Sequence, residues 1–193
     1  ARVVRGRVYI AADRNKGGSP RLPAKPPGEK KVYDGAPPPA YGAMEAQYVR
    51  LISDDNGAAV TVEQIKTAVR EVIAQGVDQL ILYFSGHGMI INNLETWLLS
   101  DAPDNGDAAV SVTRSAQAAR FGVTPHVVIV SDACRTPAQE LQTQSVNGAS
   151  AFPNNPTEAP EKRVDVFYAT APGRAALELN TTDSQGIYTE VLH

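Results

Sequence analysis

Apolar residues recur at helical spacing in a few stretches of this chain, and the apolar runs between them are short and β-rich. Val3 to Ala11 alternates and is rich in β-formers, the pattern of a first strand. Ile65, Ala68, Val69, Val72 and Ile73 form one stripe of a helix whose start is marked by Thr61-Val62-Glu63-Gln64, a capping box, and whose stop is Gly76. The run Leu80 to Phe84 follows as a buried strand, which gives the β-α-β rhythm of a parallel sheet. Met89-Ile90-Ile91, Asn92-Asn93 and Glu95 to Leu99 read as a small hairpin. Ser111 to Phe121 predicts a second helix ended by Gly122, leading into the strand His126 to Val130. A further strand is expected over Val164 to Thr170, with short helices over Tyr41 to Ile52 and from Tyr188 onward.

Two segments resist this pattern and are expected to be long loops. Residues 16–40 carry seven prolines among glycines and lysines, which excludes regular structure. Residues 136–163 are polar, rich in Gln, Asn and Pro, and show no strong period. Loops this long within a compact domain are usually functional or mobile.

At 193 residues, one α/β domain is the natural count, and 42% hydrophobic content can fill its core. The chain opens at Ala1 without a methionine and stops inside a predicted helix, which reads as a processed form or a piece lacking its C-terminal end. A net charge of −3 and the lack of a basic tract give no electrostatic case for nucleic acid or an anionic membrane. No apolar run reaches the roughly 18 residues that span a bilayer, and no signal-peptide pattern is present. A single cysteine forms no internal disulfide, so a reducing, cytoplasmic setting is expected and the thiol stays free for chemistry.

That cysteine stands at a strand end. Ser131-Asp132-Ala133-Cys134-Arg135 leaves one β-rich run and Tyr83-Phe84-Ser85-Gly86-His87-Gly88 leaves another, with His87 and Cys134 47 residues apart. Ligands and catalytic groups collect at the carboxyl ends of strands in such sheets. A histidine close in space but distant in sequence is what a cysteine nucleophile needs to become thiolate. Gly86 and Gly88 flank the histidine, where they would let the chain turn sharply and a substrate backbone come close.

Strand-Ser-Gly-His-Gly followed by strand-Asp-Ala-Cys-Arg resembles the caspase-like cysteine peptidases. Asp132 and Thr136 depart from the caspase Gln-Ala-Cys-x-Gly signature, and Asp132 moves the chain toward the metacaspase and paracaspase branch, in a form like the prokaryotic caspase-like proteases. The resemblance implies a three-layer α/β sandwich, with a mostly parallel central sheet and helices on both faces. It also implies an endopeptidase in which Cys134 attacks the scissile carbonyl, His87 protonates the leaving amine, and the amides of Gly88 and Cys134 hold the oxyanion. Ser85 and Asp132 match pocket positions of the branch that cleaves after Arg or Lys, and Glu45 is a displaced match to a third acid. A pocket using Arg14 would instead select aspartate. Glu161-Lys162-Arg163 lies where relatives carry an activation linker, so self-cleavage or an activating protease or partner is a candidate step, with a cell-death or defence role implied by the family alone.

Asp101, Asp104 and Asp107 crowd one loop near where some metacaspases bind activating calcium, yet their spacing fits no EF-hand and a solvated loop is the simpler reading. No other cofactor is implied, and the histidines and cysteine show no zinc-ligand spacing. The rivals are a caspase-like scaffold with a vestigial dyad that binds partners, and a different thiol enzyme on a doubly wound sheet acting on small molecules.

Overall fold

A computed structural model of the chain describes residues 7–13, 46–54, 57–102, 104–139, 145–154 and 160–176. The strands are β1 (Arg7–Asp13), β2 (Val49–Ser53), β3 (Gln79–Ile91), β4 (Leu94–Leu98), β5 (Ala109–Ser111), β6 (His126–Ala133), β7 (Thr136–Pro137) and β8 (Arg163–Tyr168). Two helices, α1 (Val62–Ala74) and α2 (Val112–Arg120), accompany them. α1 begins as its sequence predicts, with the Thr61 hydroxyl accepting from the Gln64 amide and the Gln64 side chain accepting from the Thr61 amide.

The sheet corrects the expectation of mostly parallel pairing. β1 pairs antiparallel with both β2 and β3, and β3–β4 and β4–β5 are antiparallel as well. Parallel pairing is confined to β3–β6, β6–β8 and the two-residue β3–β7 contact. Two causes are visible. β2 and β3 are parallel to one another and joined through α1, as the β-α-β rhythm requires, but β1 is inserted between them and runs the opposite way. The β3–β4 connection is a two-residue turn in which Asn92 (φ 50°) and Asn93 (φ 63°) are both left-handed, a geometry that joins only antiparallel strands.

The expected placement of helices on both faces is met on one face by the two helices described. Ile65, Ala68, Val69 and Val72 of α1 and Val112 and Ala119 of α2 share one core with Val8, Ile10, Leu80, Leu82, Phe84, Val127 and Ile129. Among the described residues, both helices therefore cover the same face of the sheet, and the opposite face gathers Tyr9, Ala11, Ile81, Tyr83, Val128 and Val130. Within the shared core Trp97 stacks on Phe84, with ring centroids 4.6 Å apart, and its indole N–H donates to Ser131 Oγ at 2.9 Å. That satisfies the single polar atom of a fully buried tryptophan.

Tyr41 to Ile52 is not a helix where it is described. A single 3-10 turn, Ala46–Tyr48, leads into β2, whose Val49 and Ile52 suit an edge strand against β1 better than a helix. The first long loop, 16–40, and the predicted terminal helix lie outside the described residues.

The second long loop is far more structured than its composition implies. β7 adds to β3, and residues 145–154 dock along β5, with Asn147 donating to the Gly106 carbonyl, Ala149 donating to Ala109, and Ser111 donating to Ala149. Ala151 and Phe152 enter the main core. Gly148 makes the approach possible, because a Cβ there would stand 2.8 Å from the Ser111 nitrogen and 3.1 Å from Thr96 Cγ2. The polar composition misleads because main-chain hydrogen bonds, which carry no sequence signature, do most of the docking.

At the amino ends of the parallel strands, Gln79, His126 and Arg163 stand in register across β3, β6 and β8. His126 Nε2 meets Asp165 Oδ2 at 2.8 Å, Gln79 Nε2 faces His126 Nδ1 at 2.8 Å, and Arg163 reaches the same carboxylate at 2.8 Å. The hydrogen bond from His126 holds the Asp165 carboxyl below the usual range, partial burial opposes this, and Arg163 adds to it.

Two outcomes follow from these contacts. Gly148→Ala should cost about 1–3 kcal/mol in urea unfolding through overpacking against the Ser111 backbone. A carboxyl held low in the folded state contributes stability above its unfolded pKa and loses it as pH falls through the folded one. The melting temperature of the native chain should therefore fall more steeply below about pH 4 than that of Asp165→Asn.

Candidate active site

β3 and β6 run side by side from Gln79 opposite His126 to Gly86 opposite Ala133, always 47 positions apart. One step further, the same offset sets His87 beside Cys134. Side chains alternate along a strand, so Ser85 and His87 follow Ile81 and Tyr83 onto the sheet face opposite the helices, and Asp132 follows Val128 and Val130. Ser85 and Asp132 are direct register partners. Asp132 is buried, and the Tyr83 hydroxyl donates to its Oδ2 at 3.3 Å. His87 is exposed and Cys134 half-buried.

The chain does not turn at His87. β3 continues through it to Ile91, leaving β1 and taking β4 as its partner from His87 onward. The need for glycine at Gly88 is therefore different from the one its sequence suggests. A Cβ there would lie 2.6 Å from the Cys134 carbonyl oxygen and 2.8 Å from Ala133 Cβ, so the absent side chain lets the histidine strand touch the cysteine segment.

The orientation of the Gly88 amide follows from the ladder. Main-chain groups two residues apart on a strand point to the same side. The Ile90 carbonyl is directed away from β4, since it accepts from the Ala138 amide at 3.0 Å beside β7. Gly88, two residues earlier, presents its main-chain groups to that side, toward Cys134.

Arg135 and partners distant in sequence hold the Cys134 segment. Arg135 Nε donates to Glu95 Oε1 at 2.9 Å, Nη2 donates to the same oxygen, and Nη1 donates to the Thr170 carbonyl at 3.0 Å. The guanidinium lies 3.8 Å over the Tyr168 ring. Burial lifts the Tyr168 hydroxyl above the usual phenol range, Glu95 adds to the shift and Arg135 opposes it. The Cys134 sulfur accepts from the Ala176 amide at 3.3 Å. Glu95 had a legible signal, a lone charge in the hairpin strand Leu94-Glu95-Thr96-Trp97-Leu98, whereas the Ala176 contact had none.

Glu45 and Arg14, the two rival pocket charges, lie outside the described residues. Asp101, Asp104 and Asp107 are exposed, and their turn is closed by main-chain and Asn105 hydrogen bonds. Among the described residues, no three His, Cys, Asp or Glu side chains are grouped to hold a metal ion, and no helix is long and apolar enough to cross a membrane. Lys162 and Arg163 are tied down rather than free. Their amides donate to Arg120 and Pro125, and Arg163 is the first residue of β8.

Gly88→Ala and Gly148→Ala each set a Cβ under 3.0 Å from a backbone atom, at two different places. If Gly88 exists to let the strand ends meet, Gly88→Ala should lower peptide turnover per folded molecule by about 100-fold, as small misplacements of reacting groups do. Gly148→Ala should leave that turnover within about threefold, as a change remote from the reacting groups.

A search of the curated proteins finds no match to the chain. The family model of the caspase domain matches residues 45–193, which include both strand ends and Arg135 with its partners. On that match the chain belongs to the caspase domain family of cysteine peptidases.

Proposed function

We propose that the chain is a cysteine endopeptidase that cleaves protein substrates after arginine or lysine, with Cys134 as nucleophile and His87 as its acid–base partner. The observation that supports the reading is the 47-residue register of β3 and β6, whose last paired positions, Gly86 and Ala133, immediately precede His87 and Cys134. The Cys134 thiolate adds to the scissile carbonyl carbon, and the carbonyl π electrons move onto oxygen. The oxyanion is met by the amides of Gly88 and Cys134. As the intermediate collapses, the C–N bond breaks and His87 gives its proton to the departing amine. Water, deprotonated by His87, then releases the acyl group from sulfur.

Specificity for a basic side chain is supported by Asp132. It is a buried carboxylate on the dyad face, two residues before the nucleophile, braced by Tyr83 and opposite Ser85. A guanidinium reaching such a group gains charge-assisted hydrogen bonds in a site that excludes water. Such an acid accords with the metacaspase and paracaspase branch, and the single thiol accords with a reducing, cytoplasmic setting. Activation at Lys162–Arg163 is disfavoured, because cutting there requires β8 to unpair from β6. A regulatory partner or a cut elsewhere accords better with the docking of 145–154.

The test is turnover of fluorogenic peptides ending in Arg, Lys or Asp. Cleavage after Arg or Lys should vanish in Cys134→Ala and fall about 30-fold or more in Asp132→Asn, the scale of losing one partner of a buried charge pair. Cleavage after Asp would overturn the pocket while keeping the dyad. Turnover that survives in Cys134→Ala, or silence on all three peptides, would overturn the peptidase reading.

A further inference from the structure

Cys134 lies one residue past the last paired position of β6, so the sheet ladder does not fix its backbone. Gly88 limits it from one side. On the other side the fixing is done by Arg135, whose amide donates to the Arg174 carbonyl at 2.9 Å and whose carbonyl accepts from the Gly173 amide at 2.8 Å. The strap that makes these bonds leaves β8 and turns at Ala171-Pro172-Gly173-Arg174. Arg174 donates back to the Ala171 carbonyl at 3.1 Å and Gly173 has φ 81°, the geometry of a type II turn. It then returns the Ala176 amide to the Cys134 sulfur.

The strap and the nucleophile segment are locked together by one guanidinium. Arg135 grips the strap through the Thr170 carbonyl and the Tyr168 ring, and its charge is answered by Glu95 on β4. Side-chain exposure is 12% for Arg135 and 16% for Glu95, so water cannot substitute for the carboxylate if it is lost. We propose that Glu95 is a positioning residue for Cys134, acting through Arg135 and the 170–176 strap. Its carboxylate contacts Arg135 and not the sulfur. Its effect is to keep the guanidinium in the one orientation that serves strap and nucleophile together, which the planar fork of arginine allows and lysine does not.

This inference rests on Cys134 being the nucleophile, and its test separates the two claims. Glu95→Gln keeps an acceptor oxygen and removes the charge. Kinetics on the best basic peptide and amide hydrogen exchange are read on the same protein. The expected result is a kcat lower by about 10- to 100-fold with KM within about threefold, the pattern of a displaced reacting group. Exchange should rise about tenfold at the Arg135 and Ala176 amides while the amides of β3 and β6 keep their protection. Arg135→Lys should behave in the same direction, and Glu71→Gln, which loses only an exposed pair with Arg50, should change neither readout.

Unchanged exchange at Arg135 and Ala176, or an unchanged kcat, overturns the proposal. A general rise in exchange with kcat per folded molecule preserved also overturns it, by showing a stabilising pair only. If the native chain cleaves no peptide, the peptidase reading fails and exchange alone decides the brace. Should Glu95→Gln not fold, Tyr168→Leu, which removes the stacking face but no charge, decides by the same readouts.

Discussion

The Gly88 backbone passes so close to the Cys134 carbonyl that a Cβ there would stand 2.6 Å from its oxygen, and this contact joins the histidine strand to the cysteine segment. Everything nearby is arranged around it. β3 has to be long enough to serve as the core partner of β1 and β6 in its first half and of β4 in its second, so that His87 sits where one set of partners gives way to the other. β6 stops one residue before Cys134, which is held by loop contacts rather than by a ladder. The buried Trp97, register partner of Gly88, stacks on Phe84 and bonds Ser131, which fixes the hairpin, β3 and β6 relative to one another. A fully buried, hydrogen-bonded tryptophan is a stiff support for a site that tolerates little displacement.

Charge is distributed unevenly between the two ends of the parallel strands. At the amino ends, His126, Asp165 and Arg163 form a partly exposed charged group. At the carboxyl ends, the buried Asp132 lies on the face opposite the helices, and the Arg135–Glu95 pair lies beside Cys134. Buried charges are costly unless paired, and their concentration beside the proposed dyad is the usual mark of a site in which geometry outranks stability.

Much of the site was legible in the sequence because it lies on strand ends, where local pattern and chemistry coincide. The runs Leu80 to Phe84 and His126 to Val130 gave both strands, and an offset counted along the chain proved to be a structural register. The capping box at Thr61 and the Asn92-Asn93 turn were readable for the same reason, since each is fixed by the residues that form it. What escaped depends on partners distant in sequence. The antiparallel insertion of β1 is decided by sheet order, which no local pattern encodes. The docking of 145–154 is main-chain work enabled by Gly148, and Val49 to Ser53 becomes a strand because β1 offers it an edge. Arg135 was visible beside the cysteine, but its role required Glu95, Tyr168 and Thr170 from three other places.

The central claim is that His87 and Cys134 act as a pair aimed at a basic residue. Mass-spectrometric measurement of covalent labelling by an arginyl peptide acyloxymethyl ketone tests it directly, because the probe needs both the nucleophile and its partner in place. The account predicts one label per chain, on Cys134, formed about 100-fold more slowly in His87→Ala. Equal labelling rates in the two proteins would contradict it, by showing a reactive cysteine that owes nothing to the histidine beside it.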